Sequence, residues 1–190
     1  DADTIKSRLS DSNTKIISIT VTEKGYCRDA QGMLDLKNSD IQSDIKSLSA
    51  NPGAIVRTLP GWVAQAILRR AKKNLPITIM SLDNLPQNGT SLYKIIATML
   101  RELDPSALLW LDAGNVSFPN SVVDRIVPAT SKEDLSDVSK QLKINDVWPV
   151  VTEPYVSWIL EQKFSSPQPN WCSVGVSLVM DVVPYEEAKL

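Results

Sequence analysis

Three segments carry side chains able to bind or transfer protons, and each follows an apolar run of strand length: Thr20–Lys24, Ser81–Gly89 (SLDNLPQNG) and Phe118–Thr130 (FPNSVVDRIVPAT). Between them they hold carboxamides, carboxylates and hydroxyls but no imidazole, because the chain has no histidine. The commonest general base, the partner of a serine or cysteine nucleophile and the commonest metal ligand are therefore missing from it. Proton transfer must fall to Lys, Asp, Glu, Tyr or Cys. Cys27 and Cys172 are far apart and form no C-x-x-C pair, so neither a disulfide framework nor a structural zinc site is expected, and the expectation is no metal. A G-x-G-x-x-G turn is absent, so the usual phosphate cradle does not lie in this chain.

The elements that must position these segments alternate. Ile16–Val21 reads as a strand ended by Thr22-Glu23-Lys24-Gly25. After a polar stretch, Ile55–Arg70 places Ile55, Val56, Leu59, Val63, Ala66 and Ile67 on one helical face. Ile77–Ser81 is a second strand, closed by Asp83-Asn84-Leu85-Pro86. Leu92, Ile95, Ile96, Met99, Leu100 and Leu103 then mark a helix that Asp104-Pro105 stops. Val116–Phe118 and Val147–Thr152 read as further strands flanking a polar helix over Lys132–Lys143. Val174–Val183 reads as a last strand, and Pro184 opens a helix. Pro119-Asn120-Ser121 is expected to form a turn or helix cap, and Asn88-Gly89 likewise. The alternation predicts an α/β fold with a Rossmann-like, doubly wound, mainly parallel sheet. In such a sheet ligands bind beyond the carboxyl ends of the strands, where the three polar segments fall.

Composition bounds the partners. Hydrophobic residues make up 43% and charged residues 22%, so the chain has the makings of an ordinary globular core. A net charge of -2 with scattered cations offers no field for nucleic acid, and no apolar run is long enough to span a membrane. The N-terminal DADTIKSRLS has no signal-peptide pattern, so a cytoplasmic location is the default. Asn88-Gly89-Thr90 and Asn115-Val116-Ser117 match the glycosylation pattern by chance. Both ends read as cut: Asp1 starts inside a helical pattern, and Lys189-Leu190 stop about one turn into a helix.

Taken in order, TVTEKGY, SLDNLPQNG, SFPNSVVDRIVPAT, VVTEPYVSWILEQKF and PYEEAK resemble the polyol-specific long-chain dehydrogenases. That family includes mannitol dehydrogenases, sugar-alcohol phosphate dehydrogenases and hexuronate reductases. The resemblance implies an incomplete N-terminal domain of a two-domain enzyme. Residues 1–183 would form the later part of the NAD(P)-binding domain. Residues 184–190 would start the helix leading into a helical C-terminal domain. It further implies NAD or NADP as cofactor, a polyol or sugar-acid substrate, and an isolated chain without turnover. The sequence does not choose between NAD and NADP.

Members of the family use a lysine base without zinc, in a pattern K-x-x-x-x-N-x-x-H, and Lys189 stands where that lysine belongs. The rest of the pattern would follow Leu190. An alcohol hydroxyl must lose its proton as hydride departs, and a lysine can take it only when neutral. Asn84 could donate to the substrate oxygen, or it could close an Asx-turn. Asp124 could accept bonds from sugar hydroxyls or act on Lys189, or it could pair with a nearby arginine. Glu186, three residues before Lys189, could relay protons or merely favour the helix dipole. Val21, Thr22 and Glu23 are candidates for contacting the cofactor. The other reading is a non-catalytic α/β interaction or scaffold domain. An exposed sheet edge would favour self-association.

Overall fold

The computed structural model describes residues 1–189; Leu190, the end of the expected final helix, lies outside the described residues. Helix α1 (Ala2–Ser10) is capped by Asp1, whose side chain accepts from the Thr4 amide, and leads into β1 (Ile16–Ile19). A 3-10 turn over Glu23–Tyr26 follows, then α2 (Ser39–Ala50) and α3 (Leu59–Ala71). Strand β2 (Ile77–Ser81) feeds α4 (Asn88–Leu103) and α5 (Pro105–Trp110). Next come β3 (Val116–Ser117), β4 (Ser121–Asp124), α6 (Lys132–Leu142), β5 (Ser157–Glu161), β6 (Ser177–Val179) and α7 (Val183–Ala188).

Among the described residues two three-stranded sheets result, ordered β1-β2-β3 and β4-β5-β6. The first is wholly parallel, with Ile16 opposite Thr78 and Ile77 opposite Val116. The second pairs β5 and β6 in parallel but β4 and β5 antiparallel, so the sheet arrangement is mainly parallel, as expected. Every residue of β2 is buried, which is why ITIMS has no polar alternation. Ile77 and Ile79 meet Ile67 of α3 and Leu92, Ile95, Ile96, Met99 and Leu100 of α4 in one core, and Met80 packs with Leu160 and Val176 in another. No described helix is long and apolar enough to cross a membrane.

Several expectations need correction. The helix predicted from Ile55 starts at Leu59, because the Thr58 hydroxyl caps it at Gly61 N (3.0 Å) and Pro60 occupies its first turn. Val56 reaches the core from outside the helix, and Ile55 stays exposed. No strand forms over Val147–Thr152. Pro149 cannot donate to a ladder, and Val147, Trp148 and Val150 are exposed. The strand expected over Val174–Val183 shrinks to β6, because Trp171–Val174 form a 3-10 turn that Gly175 ends in left-handed backbone. Ser121 begins β4 rather than a turn or helix cap. The polar stretch after β1 contains α2, whose Ile41, Ile45 and Leu48 share one face and whose first amides Asn38 caps.

Gly89 is required where α4 meets the segment entering β4. A Cβ there would lie 2.4 Å from the Pro119 carbonyl oxygen and 2.6 Å from that of Phe118. Both obstacles are backbone, so neither can swing aside. Gly89→Ala is expected to destabilise the fold by about 1–3 kcal/mol, the usual cost of overpacking, measured as a lowered midpoint in urea unfolding.

Candidate active site

Strand β2 delivers its carboxyl end next to β4. After Ser81 the chain turns sharply, and the residue that closes the turn is Asp83, whose Oδ1 accepts from Leu85 N at 2.9 Å. Asn84 is therefore not the Asx-turn residue, and its side chain is free to point elsewhere. Its Oδ1 accepts from Lys189 Nζ at 2.6 Å. Because an ammonium or amine nitrogen donates here, the carboxamide oxygen faces it and the Nδ2 amide group is left as a spare donor.

Lys189 directly follows α7 as its C-terminal cap residue, and Pro184 in the first turn opens that helix as expected. The same Nζ donates to Val123 O of β4 at 2.6 Å and lies 3.8 Å from Asp124 Oδ1. The lysine side chain is 24% exposed and that of Asp124 37%, so the pair is sheltered without being sealed. Arg125 does not pair with Asp124; its Nε donates to Glu153 O at 3.1 Å.

Glu186 accepts from Gln87 N at 2.7 Å, and Gln87 has left-handed backbone with φ 47°. This contact fastens α7 to the start of α4. The helix has no cap from its own preceding residue; Asn120 Oδ1 instead accepts from Thr90 N at 2.9 Å. Asp83, Asn84, Leu85, Pro86, Ser121, Val122, Glu186 and Lys189 surround a cavity of about 170 Å³. The structure thus brings Asn84, Glu186 and Lys189 to one cavity, with Asp124 adjoining the lysine.

Val21, Thr22 and Glu23 lie off the carboxyl end of β1, outside that cavity. Val21 packs on the main core, the Thr22 carbonyl accepts from Gly25 N at 2.8 Å, and Glu23 pairs with Arg28 at 2.5 Å. The turn they start ends at Tyr26, a fully buried residue whose hydroxyl bonds to Ser81 Oγ and Asp83 Oδ2. Burial, with Asp83 adding to it, pushes the Tyr26 phenol far above its ordinary value, so it stays protonated and can donate.

Sequence reasoning missed Tyr26, Asp83, Asn88 and Ser121. Asn88 is completely buried, and its Nδ2 contacts the carbonyls of Ser81 (3.3 Å), Asp83 (3.2 Å) and Ser121 (3.0 Å). Its Oδ1 accepts from Ser121 N at 2.9 Å. It therefore ties the tip of β2 to β4, a role that an Asn-Gly pair in a turn-like sequence does not advertise. The one available signal was Asp83, placed two residues after the strand's last residue, where Asx-turns are common. Among the described residues, no group of three or more His, Cys, Asp or Glu is placed to hold a metal ion.

A sequence model of the mannitol dehydrogenase Rossmann domain matches residues 3–173. The chain is 40% identical to D-mannonate oxidoreductase of Escherichia coli (strain K12) over 179 residues, covering 93% of this chain and 36% of that protein. It is 35% identical to mannitol 2-dehydrogenase of Pyricularia oryzae over 189 residues, or 98% of this chain and 37% of that protein. Among solved structures, Pseudomonas fluorescens mannitol 2-dehydrogenase in ternary complex with NAD and D-mannitol superposes with a TM-score of 0.85. The two share 38% identity, over 100% of this chain and 38% of that one. A D-sorbitol dehydrogenase in substrate-free form gives a TM-score of 0.88 at 32% identity, over the same shares of the two chains. The chain spans a little over a third of the length of these relatives.

Proposed function

This chain belongs to the mannitol dehydrogenase family, as part of its Rossmann domain, and from that premise we propose that it serves an NAD- or NADP-dependent oxidoreductase. The reaction interconverts a sugar alcohol, or an aldonate-type acid, with the matching ketose or keto acid. What carries this reading is the convergence of Lys189 and Asn84 on one cavity, at 2.6 Å from each other.

A neutral amine has two N–H bonds and one lone pair. Lys189 Nζ has two close acceptors, Asn84 Oδ1 and Val123 O, each at 2.6 Å. A neutral Lys189 would satisfy both and keep its lone pair for a substrate hydroxyl, which is the posture of a general base. In this reading the amine takes the hydroxyl proton itself and no zinc takes part. Asn84 Nδ2, unused by the lysine, donates to the oxygen on which negative charge builds. Asp124 stabilises the lysine once it has gained the proton. Glu186, on the cavity wall, passes that proton toward water.

The residues present fit one end of a nicotinamide dinucleotide. The Val21–Glu23 segment sits at the carboxyl end of β1, beside the β2 tip, where Thr22 is exposed. In this reading Val21, Thr22 and Glu23 would hold the nicotinamide end. When bound, that ring accepts hydride from the alcohol carbon. The experiment is an assay of the full-length protein for nicotinamide reduction with a panel of polyols and hexonates. Turnover with a member of these classes supports the reading, and binding of the cofactor without oxidation of any of them removes it.

As an isolated 190-residue chain, the protein is expected to associate. β1 is an open edge of its sheet, and Val147, Trp148, Val150, Tyr155 and Val156 expose apolar surface. Size-exclusion chromatography with light scattering should show a mass above 21.0 kDa; a sharp monomer peak would contradict this.

A further inference from the structure

We infer that Tyr26 is a positioning residue that, through Asp83, sets the direction of the Asn84 carboxamide and couples it to the cofactor side of the site. The inference rests on the reading of Asn84 as the donor to the substrate oxygen.

Asn84 stands on a turn whose geometry Asp83 dictates. One carboxylate oxygen of Asp83 holds Leu85 N at 2.9 Å, fixing the backbone on either side of Asn84. The other oxygen accepts from Ser81 Oγ at 2.9 Å and from the Tyr26 hydroxyl. The Asp83 carbonyl accepts from Asn88 Nδ2 at 3.2 Å. With both carboxylate oxygens and the carbonyl engaged, Asp83 cannot rotate without breaking the turn. Of these partners, Ser81 and Asn88 are close along the chain, whereas Tyr26 lies 57 residues away from Asp83.

The origin of Tyr26 gives the contact its meaning. It closes the 3-10 turn that begins at Glu23, directly after Val21 and Thr22, so it is rigidly attached to the segment assigned to the cofactor. Its ring is wholly buried in the main core and its hydroxyl has no access to solvent. Removing the hydroxyl alone leaves the ring packed, but it takes the only long-range donor from that Asp83 oxygen and leaves Ser81 Oγ to hold it. The turn loosens, and the spare Nδ2 of Asn84 loses its aim. Misplacement of that kind acts on the reacting state rather than on general affinity.

The test is a double-mutant cycle in the full-length protein with Tyr26→Phe, Asn84→Ala and the pair, following kcat and KM for the polyol and cofactor binding by tryptophan fluorescence. Tyr26→Phe is expected to lower kcat about tenfold, with KM and cofactor affinity unchanged, and to have no further effect once Asn84 is alanine. A purely structural hydroxyl would lower the melting temperature and leave kcat alone, or would act equally in both backgrounds; either result overturns the inference. If Asn84→Ala itself leaves kcat intact, the reading of the site fails and the inference falls with it. Should Tyr26→Phe not fold, Ser81→Ala removes the other hydroxyl on Asp83 and is expected to give a smaller loss of kcat, again masked by Asn84→Ala. A loss in Ser81→Ala that persists in that background overturns the proposal.

Discussion

Replacing Lys189 by alanine in the full-length protein is expected to lower kcat for polyol oxidation by about 10²–10⁴-fold, the range a positioned general base supplies. The side chain sits on the cavity wall with Nζ bonded to Asn84 and Val123, so its loss also releases the Asn84 carboxamide. Lys189→Arg separates charge from base. A guanidinium keeps the positive charge near Asp124 but cannot give up a proton at working pH, so this variant should be as inactive as the alanine one. Cofactor titration by tryptophan fluorescence should be unchanged in both, since neither alters the segment assigned to the cofactor. An arginine variant that retained most of its turnover would reduce the lysine to an electrostatic role.

The largest effect on stability is expected at Arg70. Its side chain lies at the end of α3, is 1% exposed, and no carboxylate pairs with it among the described residues. Its guanidinium instead donates to five backbone carbonyls. They are Leu75 O (3.0 Å) and Pro76 O (3.1 Å) ahead of β2, Leu9 O (3.0 Å) in the last turn of α1, and Asp11 O (3.0 Å) and Thr14 O (2.9 Å) between α1 and β1. One side chain thus satisfies the carbonyls at the end of α1 and in both turns that lead into β1 and β2. Arg70→Met would keep the volume and take the guanidinium donors from these part-buried carbonyls, of which Asp11 O would keep the Thr14 amide (3.1 Å). A loss of about 3–5 kcal/mol is expected, comparable with breaking a buried ion pair. Since a domain of this size is stable by only about 5–15 kcal/mol, the variant should unfold at much lower urea or be insoluble. Arg70→Lys should recover little, because three donors on one point cannot reach carbonyls spread around a planar fork. Wild-type urea midpoints in both variants would show that the carbonyls find water instead.

Arg70 also shows where sequence reading reaches its limit. Arg69, Arg70, Lys72 and Lys73 look alike as cations closing a helix, and that explanation suits the others. Only the meeting of α1, α3 and the two turns distinguishes Arg70, and nothing local encodes that meeting. The strands and helices with clear apolar periodicity, such as β2 and α4, were legible because burial on two faces or one leaves a direct imprint. α2 was not, since its apolar face is only Ile41, Ile45 and Leu48 among serines and aspartates. The apolar run at Val147–Thr152 misled because hydrophobicity alone does not make a strand when Pro149 interrupts the ladder.

The candidate site shows the same division. Lys189, Asn84, Asp124 and Glu186 became candidates through ordered motifs, and the fold brings the first two into contact across 105 residues of sequence. Of the residues that hold them, Tyr26 and Asn88 were invisible because they act by satisfying partners across elements, and only the Asx-turn spacing of Asp83 gave a signal. A tyrosine after Gly25 or an asparagine before Gly89 carries no mark of complete burial. The fold also replaced one expected reading: Asp83, not Asn84, closes the turn, which is what leaves the Asn84 amide available.

The most direct measurement is a crystal structure of the full-length protein with a polyol and nicotinamide dinucleotide bound. One hydroxyl oxygen of the polyol should lie within about 3 Å, hydrogen-bond reach, of both Lys189 Nζ and Asn84 Nδ2, with its carbon facing the nicotinamide. A polyol whose reacting oxygen touches neither side chain, or reaches the lysine only through Asp124, would contradict the account.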